Sequence, residues 1–433
     1  MPLKYQRPKG THDFVPDAPK WVNDSARCLY LEEQFRALCR LYGYNEVRTP
    51  VFEATDLFKR SVGEGTDIVS KEMYTFETKG GDSLTLRPES TAAVLRAFVE
   101  NSLYARGGVT KLYYCASHFR YERAQEGRYR QHEQLGVEAL GADDPALDAE
   151  VIGLALAFFR SVGVRNLTLK LNSVGSIESR AAYLVALKAY VEPFLPEFSV
   201  EGQARFQTNP LRLLDTKNTR ELEILSTAPT LDAYLADDER AHHEALIGYL
   251  DDAGVVYQSD PFMVRGFDYY TKTAFEIQSP DLGAQNALGG GGRYNKLVEQ
   301  IGGPPTPGIG FGLGVERALI ALQSLAVEMP PAPVPTAFIV IQGDLARPIG
   351  MKLLADLRAA GISAQTEYGG RSMKAQMKAA DRAHARYALI LGDDEIAGGT
   401  LQLKSLYDGW QHHIPLAEAV EWLEGGGSRR PSP

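Results

Sequence analysis

The sequence has few cysteines and lacks any long apolar run. Its three cysteines, Cys28, Cys39 and Cys115, are scattered and form neither a disulfide framework nor a zinc-binding spacing. No stretch of about 18 apolar residues is present, so no membrane span is expected. The first residues lack the apolar core of a signal peptide. These absences predict a protein of the reducing cytoplasm that does not enter a membrane.

Metal-binding histidine pairs and excess positive charge are also missing. The eight histidines form no HExxH pattern, so we expect no dedicated protein ligands for a metal ion. The net charge of the chain is -9. Residues 331–433 hold eleven basic and eleven acidic residues, so the rest of the chain carries the whole excess. An acidic balance argues against indiscriminate binding to nucleic acid and draws attention to local basic segments.

Changes in composition divide the chain. The proline-rich stretch 330–337 predicts a boundary between an α+β domain at 1–329 and a C-terminal domain at 330–425. Strand-like and helix-like segments alternate in the C-terminal domain, which predicts an α/β fold with a parallel or mixed sheet. Helical periodicity from about 171 to 258 predicts a helical insertion in the first domain. We expect residues 426–433 to form a disordered tail.

A short segment rich in both arginine and glutamate, FRYERAQEGRYRQHEQLG, stands out in this acidic chain. Strand-like runs on both sides of it predict a long β-hairpin. Alternation would place one set of residues on a common face: Arg120, Glu122, Gln134, Gly136 and Glu138. Guanidinium and carboxylate groups around a gap left by glycine suit a small zwitterionic or phosphorylated ligand. The alternative is an exposed hairpin with solvated ion pairs.

Glycine recurs in two neighbouring segments. Gly289–Gly292 are consecutive, and GIGFGLG at 308–314 alternates glycine with apolar residues before a helix that carries Glu316 and Arg317. The spacing matches neither a Rossmann fingerprint nor a Walker A loop. Alternating glycines leave one strand face bare, which makes room for a flat ligand such as a nucleobase. The alternative is close packing of the strand on the helix.

A basic stripe is predicted in the C-terminal domain. Five basic residues are spaced by three, four, four and four positions: Arg371, Lys374, Lys378, Arg382 and Arg386. On one continuous helix they would share a face opposite Met373, Met377 and the core. Such a stripe suits a phosphate backbone, and its alternative is a solvated helix face.

Two further segments have both a structural and a functional interpretation. In LRPEST, Ser90 or Thr91 could cap a helix and Glu89 could be a first-turn acid. In VRGFDYYTKTAFE, Arg265 stands close to paired tyrosines that would otherwise fill a core.

Taken together, these segments resemble the histidyl-tRNA synthetase family of class II aminoacyl-tRNA synthetases, almost from end to end. VRTPVFEATDLFKRSVGEGTDIVSKEMYTF resembles the dimer-forming motif 1, FRYERAQEGRYRQ motif 2 and GIGFGLGVER motif 3. VRGFDYYTKTAFE and GGGGRYNKL are similar to the two histidine-specific signatures. The resemblance implies an antiparallel catalytic sheet flanked by helices, a C-terminal anticodon-binding domain and a homodimer.

The resemblance also implies a reaction and a role for each matching residue. ATP, with Mg²⁺, would activate L-histidine to histidyl-adenylate, and the histidyl group would pass to tRNA(His). Arg120 and Arg265 would be catalytic. The implied histidine-binding residues are Glu89, Thr91, Arg120, Gln134, Glu138, Arg265, Tyr269 and Tyr270. The implied ATP-binding residues are Arg120, Glu122, Arg128, His132 and Arg317. Arg123 and Gln125 would contact the acceptor end of tRNA.

One position departs from the family pattern. After RYRQ the family usually continues with an aromatic residue and then His-Gln, whereas this chain has His132, Glu133 and Gln134. If the aromatic residue stacks on adenine, His132 must do so with a smaller ring.

Two other functions would use parts of the same pattern. A synthetase paralogue such as the histidine-sensing regulatory subunit of ATP phosphoribosyltransferase would resemble the catalytic core, but such paralogues typically lack the C-terminal domain. A non-enzymatic RNA-binding module would need the basic stripe without the pocket. The presence of Arg120, Arg265 and Arg317 together with the additional domain favours the full enzyme.

Overall fold

The computed structural model describes residues 5–63, 66–263, 269–280, 282 and 286–425. The chain divides into two compact units, Met1–Met329 and Pro330–Pro433. Within the described residues, no helix has the length and apolar character needed to cross a bilayer.

Eleven strands are described in the first unit. They are β1 (Asn45–Glu46), β2 (Phe52–Ala54), β3 (Tyr74–Glu77), β4 (Ser83–Leu86), β5 (Thr110–Phe119), β6 (Gln131–Leu140), β7 (Thr168–Ser173), β8 (Tyr257–Ser259), β9 (Thr271–Gln278), β10 (Ala287–Arg293) and β11 (Gly308–Gly314). Eight of them form one sheet in the order β1-β5-β6-β11-β10-β9-β7-β8, and β2-β4-β3 form a small antiparallel sheet.

The α-helices described in the first unit flank the large sheet or lie within the insertion. They are α1 (Ser25–Leu41), α2 (Thr55–Val62), α3 (Thr91–Glu100), α4 (Pro145–Ser161), α5 (Ile177–Val191), α6 (Val200–Thr208), α7 (Thr219–Leu225), α8 (Asp237–Asp252), α9 (Leu297–Gln300) and α10 (Val315–Ser324). A core of α1, α4 and α10 side chains covers one face of the sheet, with Phe35, Phe158 and Phe311 in edge-to-face contact.

The large sheet has the antiparallel centre implied by the family resemblance. Its six central strands pair antiparallel, whereas β1 pairs with β5, and β8 with β7, in parallel. The predicted hairpin is present as β5 and β6, paired from Thr110–Leu140 to Phe119–Gln131. Arg120 and Glu122 lie just beyond the end of β5, in the loop that connects β5 to β6.

In the chain, the helices α5–α8 come between β7 and β8, and these two strands are neighbours in the sheet. The predicted limits of the insertion, Leu171 and Gln258, fall inside these two strands, and its helices run from Ile177 to Asp252. The insertion therefore leaves and re-enters the sheet at adjacent strands.

The second unit has five strands and four α-helices. They are β12 (Ala337–Ile341), α11 (Ala346–Ala359), β13 (Ala364–Thr366), α12 (Met373–Arg382), β14 (Tyr387–Leu391), α13 (Asp393–Ala397), β15 (Thr400–Ser405), β16 (Gln411–Pro415) and α14 (Ala419–Glu424). The sheet order is β13-β12-β14-β15-β16, in which the first three strands are parallel and the last two antiparallel. The mixed sheet predicted for this region is confirmed.

The prediction of one continuous basic helix was wrong at both ends. Helix α12 begins at Met373 and ends at Arg382, so Arg371 precedes it and Arg386 follows it. His384 has a φ of 50°, in the left-handed region, which takes the chain out of the helix. Only Lys374, Lys378 and Arg382 share the helix.

The predicted inward face of α12 was also wrong in part. Met373 is 38 % exposed, whereas Gln376 is buried with Ala379 and Ala380. The amide of Gln376 bonds to the backbone of Ile341 in β12, which compensates the cost of burying a polar group.

Candidate active site

The floor of the main cavity depends on glycine in β11. Gly310 lies opposite Glu138 and Gly314 opposite Gln134 in the pairing of β11 with β6. A Cβ at Gly310 would lie 2.1 Å from Glu138 Oε2, and one at Gly312 would lie 2.5 Å from Gln134 Nε2. The bare strand face therefore makes room for a carboxylate and an amide of the protein, in addition to lining the cavity.

The gap expected at Gly136 is filled. A Cβ at this glycine would lie 2.2 Å from the ring of Tyr114, which projects from the paired strand β5. The Tyr114 hydroxyl donates to Gln134 Oε1 over 3.4 Å, and the ring lines the cavity. Sequence reasoning missed Tyr114, because an aromatic residue in an apolar strand is equally typical of a core.

Glu138 is a buried carboxylate at the base of this face. It accepts hydrogen bonds from Thr91 Oγ1 over 2.7 Å and from the hydroxyl of Tyr294. Burial raises the pKa of Glu138 to about 8, although the two hydrogen bonds oppose that rise. Tyr294, which the sequence placed only inside the GGGGRYNKL signature, is thus a further residue of the site.

The LRPEST segment carries a second buried carboxylate. Glu89 Oε1 accepts from the backbone N–H of Ala92 over 3.0 Å at the start of α3, while Glu89 Oε2 has no partner among the described residues. Burial raises the pKa of this carboxyl. The predicted cap from Ser90 or Thr91 was wrong, because Ser90 bonds to His118 and Thr91 to Glu138.

Tyr269 and Tyr270 form an aromatic wall beside these carboxylates. Both are buried, their ring centroids are 4.8 Å apart, and Tyr269 meets the ring of Tyr294 edge-on at 5.8 Å. This end of the cavity is therefore an aromatic enclosure with two carboxylates at its polar end.

Guanidinium groups gather at the opposite end of the cavity. Arg120 Nε donates to the carbonyl of Pro88 over 2.9 Å. Arg317 on α10 donates to the carbonyls of Gly127 and Ala287, over 3.0 and 2.6 Å. Burial lowers the pKa of Arg317 from its high ordinary value. Backbone carbonyls thus hold these two cations in place.

Glu122, Arg128 and His132 complete this end. Arg128 Nε lies 3.5 Å from Glu122 Oε2. Burial, and then the charges of Arg120 and Arg317, lower the pKa of His132 to about 3. The imidazole is therefore neutral near pH 7 and adds no positive charge to the two arginines.

Almost all predicted ligand-binding residues meet in one cavity of about 230 Å³. Those that line it are Glu89, Thr91, Arg120, Glu122, Arg128, His132, Gln134, Tyr269, Tyr270 and Arg317. Glu138 lies beneath the lining, bonded to Tyr294. Glu276 on β9 also lines the cavity and was not singled out from the sequence. Arg265 lies outside the described residues.

The two residues assigned to the tRNA acceptor end lie apart from the cavity lining. Arg123 and Gln125 are exposed in the loop between β5 and β6. The backbone groups of Gln125 and Arg128 bond to each other, over 2.9 and 3.1 Å, which closes the tip of the loop. Among the described residues, no group of three or more His, Cys, Asp or Glu side chains is placed to hold a metal ion.

Comparisons with known proteins agree with the geometry. A family model described as histidyl-tRNA synthetase matches residues 21–318, and one described as an anticodon-binding domain matches residues 336–425. A protein named histidine–tRNA ligase from Anoxybacillus flavithermus is 48 % identical over 98 % of this chain and 99 % of its own length. The Bacillus subtilis protein of the same name is 47 % identical, with the same coverage of both chains.

A solved structure gives the same result at the level of the fold. The apo histidyl-tRNA synthetase of S. aureus superimposes with a TM-score of 0.81 at 40 % identity, over 96 % of this chain and 99 % of that one. On the extent of these matches, the chain belongs to the histidyl-tRNA synthetase family.

Proposed function

We propose that this chain is a histidine–tRNA ligase. It joins L-histidine to ATP, which yields histidyl-adenylate and diphosphate, and then transfers the histidyl group to the 3′ end of tRNA(His). One observation carries the proposal. A single cavity has buried carboxylates and tyrosines at one end and fixed guanidinium groups at the other, as an amino acid and a nucleoside triphosphate require.

The carboxylate end accounts for recognition of histidine. Glu89 Oε2, buried without a partner among the described residues, would accept the α-ammonium group together with Thr91 and Gln134. Glu138 and Tyr270 would hydrogen-bond the two imidazole nitrogens, and Tyr269 would line the pocket. A side chain without these nitrogens would leave the buried groups unpaired, which is a strong basis for its rejection.

The guanidinium end accounts for ATP. Arg120 would hold the α-phosphate and the histidine carboxylate, and Arg317 the γ-phosphate. Glu122 would bind the adenine amino group, Arg128 would contribute at the cavity mouth, and the neutral ring of His132 would stack on adenine.

Catalysis then depends on position and charge. The histidine carboxylate attacks the α-phosphorus, a new O–P bond forms, and the bond to the leaving diphosphate breaks. Negative charge spreads over the phosphate oxygens in the transition state, so fixed guanidinium groups lower the barrier. We assign this role to Arg120 and, from family resemblance alone, to Arg265.

Mg²⁺ is proposed as the companion of ATP. The cavity offers the carboxylate of Glu276, and carboxylate oxygens are ligands that Mg²⁺ prefers. When bound, the ion would neutralise phosphate charge. Its remaining ligands would be phosphate oxygens and water, so no dedicated protein cage is required.

The remaining surfaces are assigned to tRNA and to a second copy of the chain. Residues 1–329 would form the catalytic domain, whose insertion and exposed Arg123 and Gln125 contact the acceptor arm, and residues 330–425 would hold the anticodon. A homodimer would cover Phe52 and Phe76, which are exposed on the small sheet of the motif 1 region. The three free cysteines suit a cytoplasmic location.

Histidine-dependent exchange of labelled diphosphate into ATP tests the proposal. Pure folded protein should catalyse exchange with histidine and should charge tRNA(His). Absence of exchange would refute the enzyme, and histidine binding without exchange would favour the regulatory paralogue. The paralogue is disfavoured because residues 336–425 match the anticodon-binding domain.

The role of Arg265 has its own test. Arg265→Ala should abolish exchange while histidine binding, measured by calorimetry, largely survives. Near-normal exchange by this variant would remove Arg265 from the catalytic step without affecting the proposed reaction.

A further inference from the structure

A buried cluster of charged side chains lies outside the cavity, where the helical insertion meets the large sheet. Asp148 on α4 and Arg293 at the end of β10 are fully buried, and His242 on α8 of the insertion is 7 % exposed. None of these three residues lines the cavity. Burying a charged group is costly unless it is paired and hydrogen-bonded, so the cluster has to hold its members in a fixed arrangement.

Asp148 is the centre of this cluster. Its carboxylate accepts from Arg293 Nε over 3.1 and 3.2 Å and also from Arg293 Nη2. It further accepts from Thr273 Oγ1 on β9 over 2.5 Å and from His242 Nε2 over 2.9 Å. Burial alone would raise the pKa of Asp148, but the bond from His242 and the charge of Arg293 lower it below its usual value. One ionised carboxylate therefore joins α4, α8, β9 and the end of β10.

Arg293 fixes the end of β10, beside the carboxylate end of the cavity. Its Nη1 and Nη2 also donate to backbone carbonyls just before α4, over 2.8 and 3.2 Å. The residues on either side of Arg293 support the pocket. A Cβ at Gly292 would lie 2.7 Å from the ring of Tyr270, and the hydroxyl of Tyr294 bonds to Glu138. The anchoring of Arg293 thus sets the position of the backbone on which two pocket tyrosines depend.

The insertion also holds β9, where the backbone is strained. Lys272 has a φ of 51°, in the left-handed region that residues with a side chain seldom adopt. Arg180 on α5 donates to the carbonyl of Tyr270 over 2.7 Å. Lys272 Nζ lies 2.8 Å from a carboxylate oxygen of Asp143 and 3.9 Å from one of Asp238 on α8. Strained backbone persists only where the surrounding contacts determine it, so the insertion helices help to set the position of Tyr270.

We propose that His242 is a positioning residue for histidine recognition. It fastens the helical insertion to Asp148, which holds Arg293, and Arg293 holds the strand end that supports Tyr270 and Tyr294. A continuous chain of hydrogen bonds is a physical route by which one element sets the geometry of another. The inference rests on the proposed function and makes it more specific, because it gives the insertion a part in binding the amino acid.

The test compares two consecutive histidines of α8. His242→Ala should raise the KM for histidine in diphosphate exchange about 5- to 10-fold and leave kcat within about twofold, because it loosens the pocket without touching the reacting atoms. His242→Gln should recover most of the affinity, since its amide keeps an N–H donor for Asp148. His243→Ala is the matched control, because consecutive residues point to different sides of a helix, and its KM should stay normal.

A double-mutant cycle tests the route through Tyr294. Tyr294→Phe removes the hydroxyl bond to Glu138 and should by itself raise the KM for histidine. If His242 acts through this tyrosine, His242→Ala should raise the KM of Tyr294→Phe by a smaller factor than it raises that of the unmodified enzyme. Fully additive effects would overturn the route.

Melting temperatures distinguish positioning from a purely structural role. A purely structural His242 would give a variant with a lower melting temperature and fewer active sites but the normal KM, and that result would overturn the proposal. Should His242→Ala be too unstable to assay, His242→Asn takes its place with the same expected rise in KM, because its shorter amide does not reach Asp148. Loss of exchange in the unmodified enzyme would instead refute the proposed function.

Discussion

The two sheets of this protein build their cavities in opposite ways. In the first unit the site lies on the face of an antiparallel sheet, where glycines on β11 leave space for Glu138 and Gln134. In the second unit a crevice of about 260 Å³, lined in part by Arg347 and Arg371, lies at the ends of parallel strands, and helices that diverge to opposite faces leave it open.

The difference also appears in how the two cavities hold charge. Glu89, Glu138 and Glu316 are buried around the first cavity, and burial raises the pKa of each. Arg347 and Arg371 of the crevice are exposed. A buried site can reject a wrong small molecule through unpaired groups, whereas exposed charged side chains can meet a charged partner at little desolvation cost.

The largest expected effect is on the rate of diphosphate exchange, and it distinguishes an arginine that lines the cavity from one in the exposed loop between β5 and β6. Arg120→Ala should lower the rate of histidine-dependent exchange about 10²–10³-fold, because it removes a fixed cation from the transition state. Arg123→Ala is the matched control, since Arg123 is exposed in the same connection. It should leave exchange intact and weaken only charging of tRNA. Equal effects on exchange would place both arginines in one role.

A smaller effect tests the glycine-cleared face. Gly310→Ala places a Cβ about where Glu138 Oε2 and the carbonyl of Val137 lie, and this overpacking should raise the KM for histidine about 10- to 100-fold. Gly248→Ala, in α8 with open space around it, should leave the KM unchanged and slightly stabilise the helix. A Gly310→Ala enzyme with the normal KM would mean that Glu138 does not need this space.

The smallest effect concerns pH. Glu316 accepts two hydrogen bonds from the backbone N–H of Glu133, and burial raises its pKa to about 8. The folded state therefore holds this proton more tightly than the unfolded chain does. The stability contributed by that proton is complete below the unfolded pKa and is lost as pH rises from about 4.5 to about 8.

Glu316→Gln removes the titration and keeps an acceptor for Glu133. The melting temperature of the variant relative to the unmodified protein should rise by about 1–3 °C between pH 5 and pH 8, followed by calorimetry. Glu33→Gln, which changes an exposed carboxylate of α1, is the control for the loss of one acidic charge. If the melting-temperature difference between Glu316→Gln and the unmodified protein does not change with pH, the Glu316 carboxyl ionises normally.

Much of this arrangement could be predicted from particular residues. Alternating apolar residues predicted the β5–β6 hairpin, and the same alternation correctly put Gln134 and Glu138 on one face. The proline-rich stretch at 330–337 stands where the two compact units divide. Local periodicity and chain-breaking residues carry this information, because they act over a few neighbouring positions.

Other features of the site and of α12 could not be predicted from patterns in the neighbouring sequence. Tyr114 fills the space over Gly136 only because the register of the hairpin brings them together. Tyr294 follows β10 directly and reaches Glu138, which is 156 positions away in the chain, and Glu276 lines the cavity from β9. The end of α12 at Arg382 depends on the backbone turn at His384, which the spacing of basic residues did not reveal.

The sequence by itself determined the family, the order of its elements and most residues around the cavity, since these follow from short motifs and local periodicity. Tertiary structure alone decided which side chains use the space beside the β11 glycines, which carboxylates become buried, and where the second unit opens a crevice. Strand register and the direction of helix packing set those outcomes, and both arise from contacts between residues far apart in the chain.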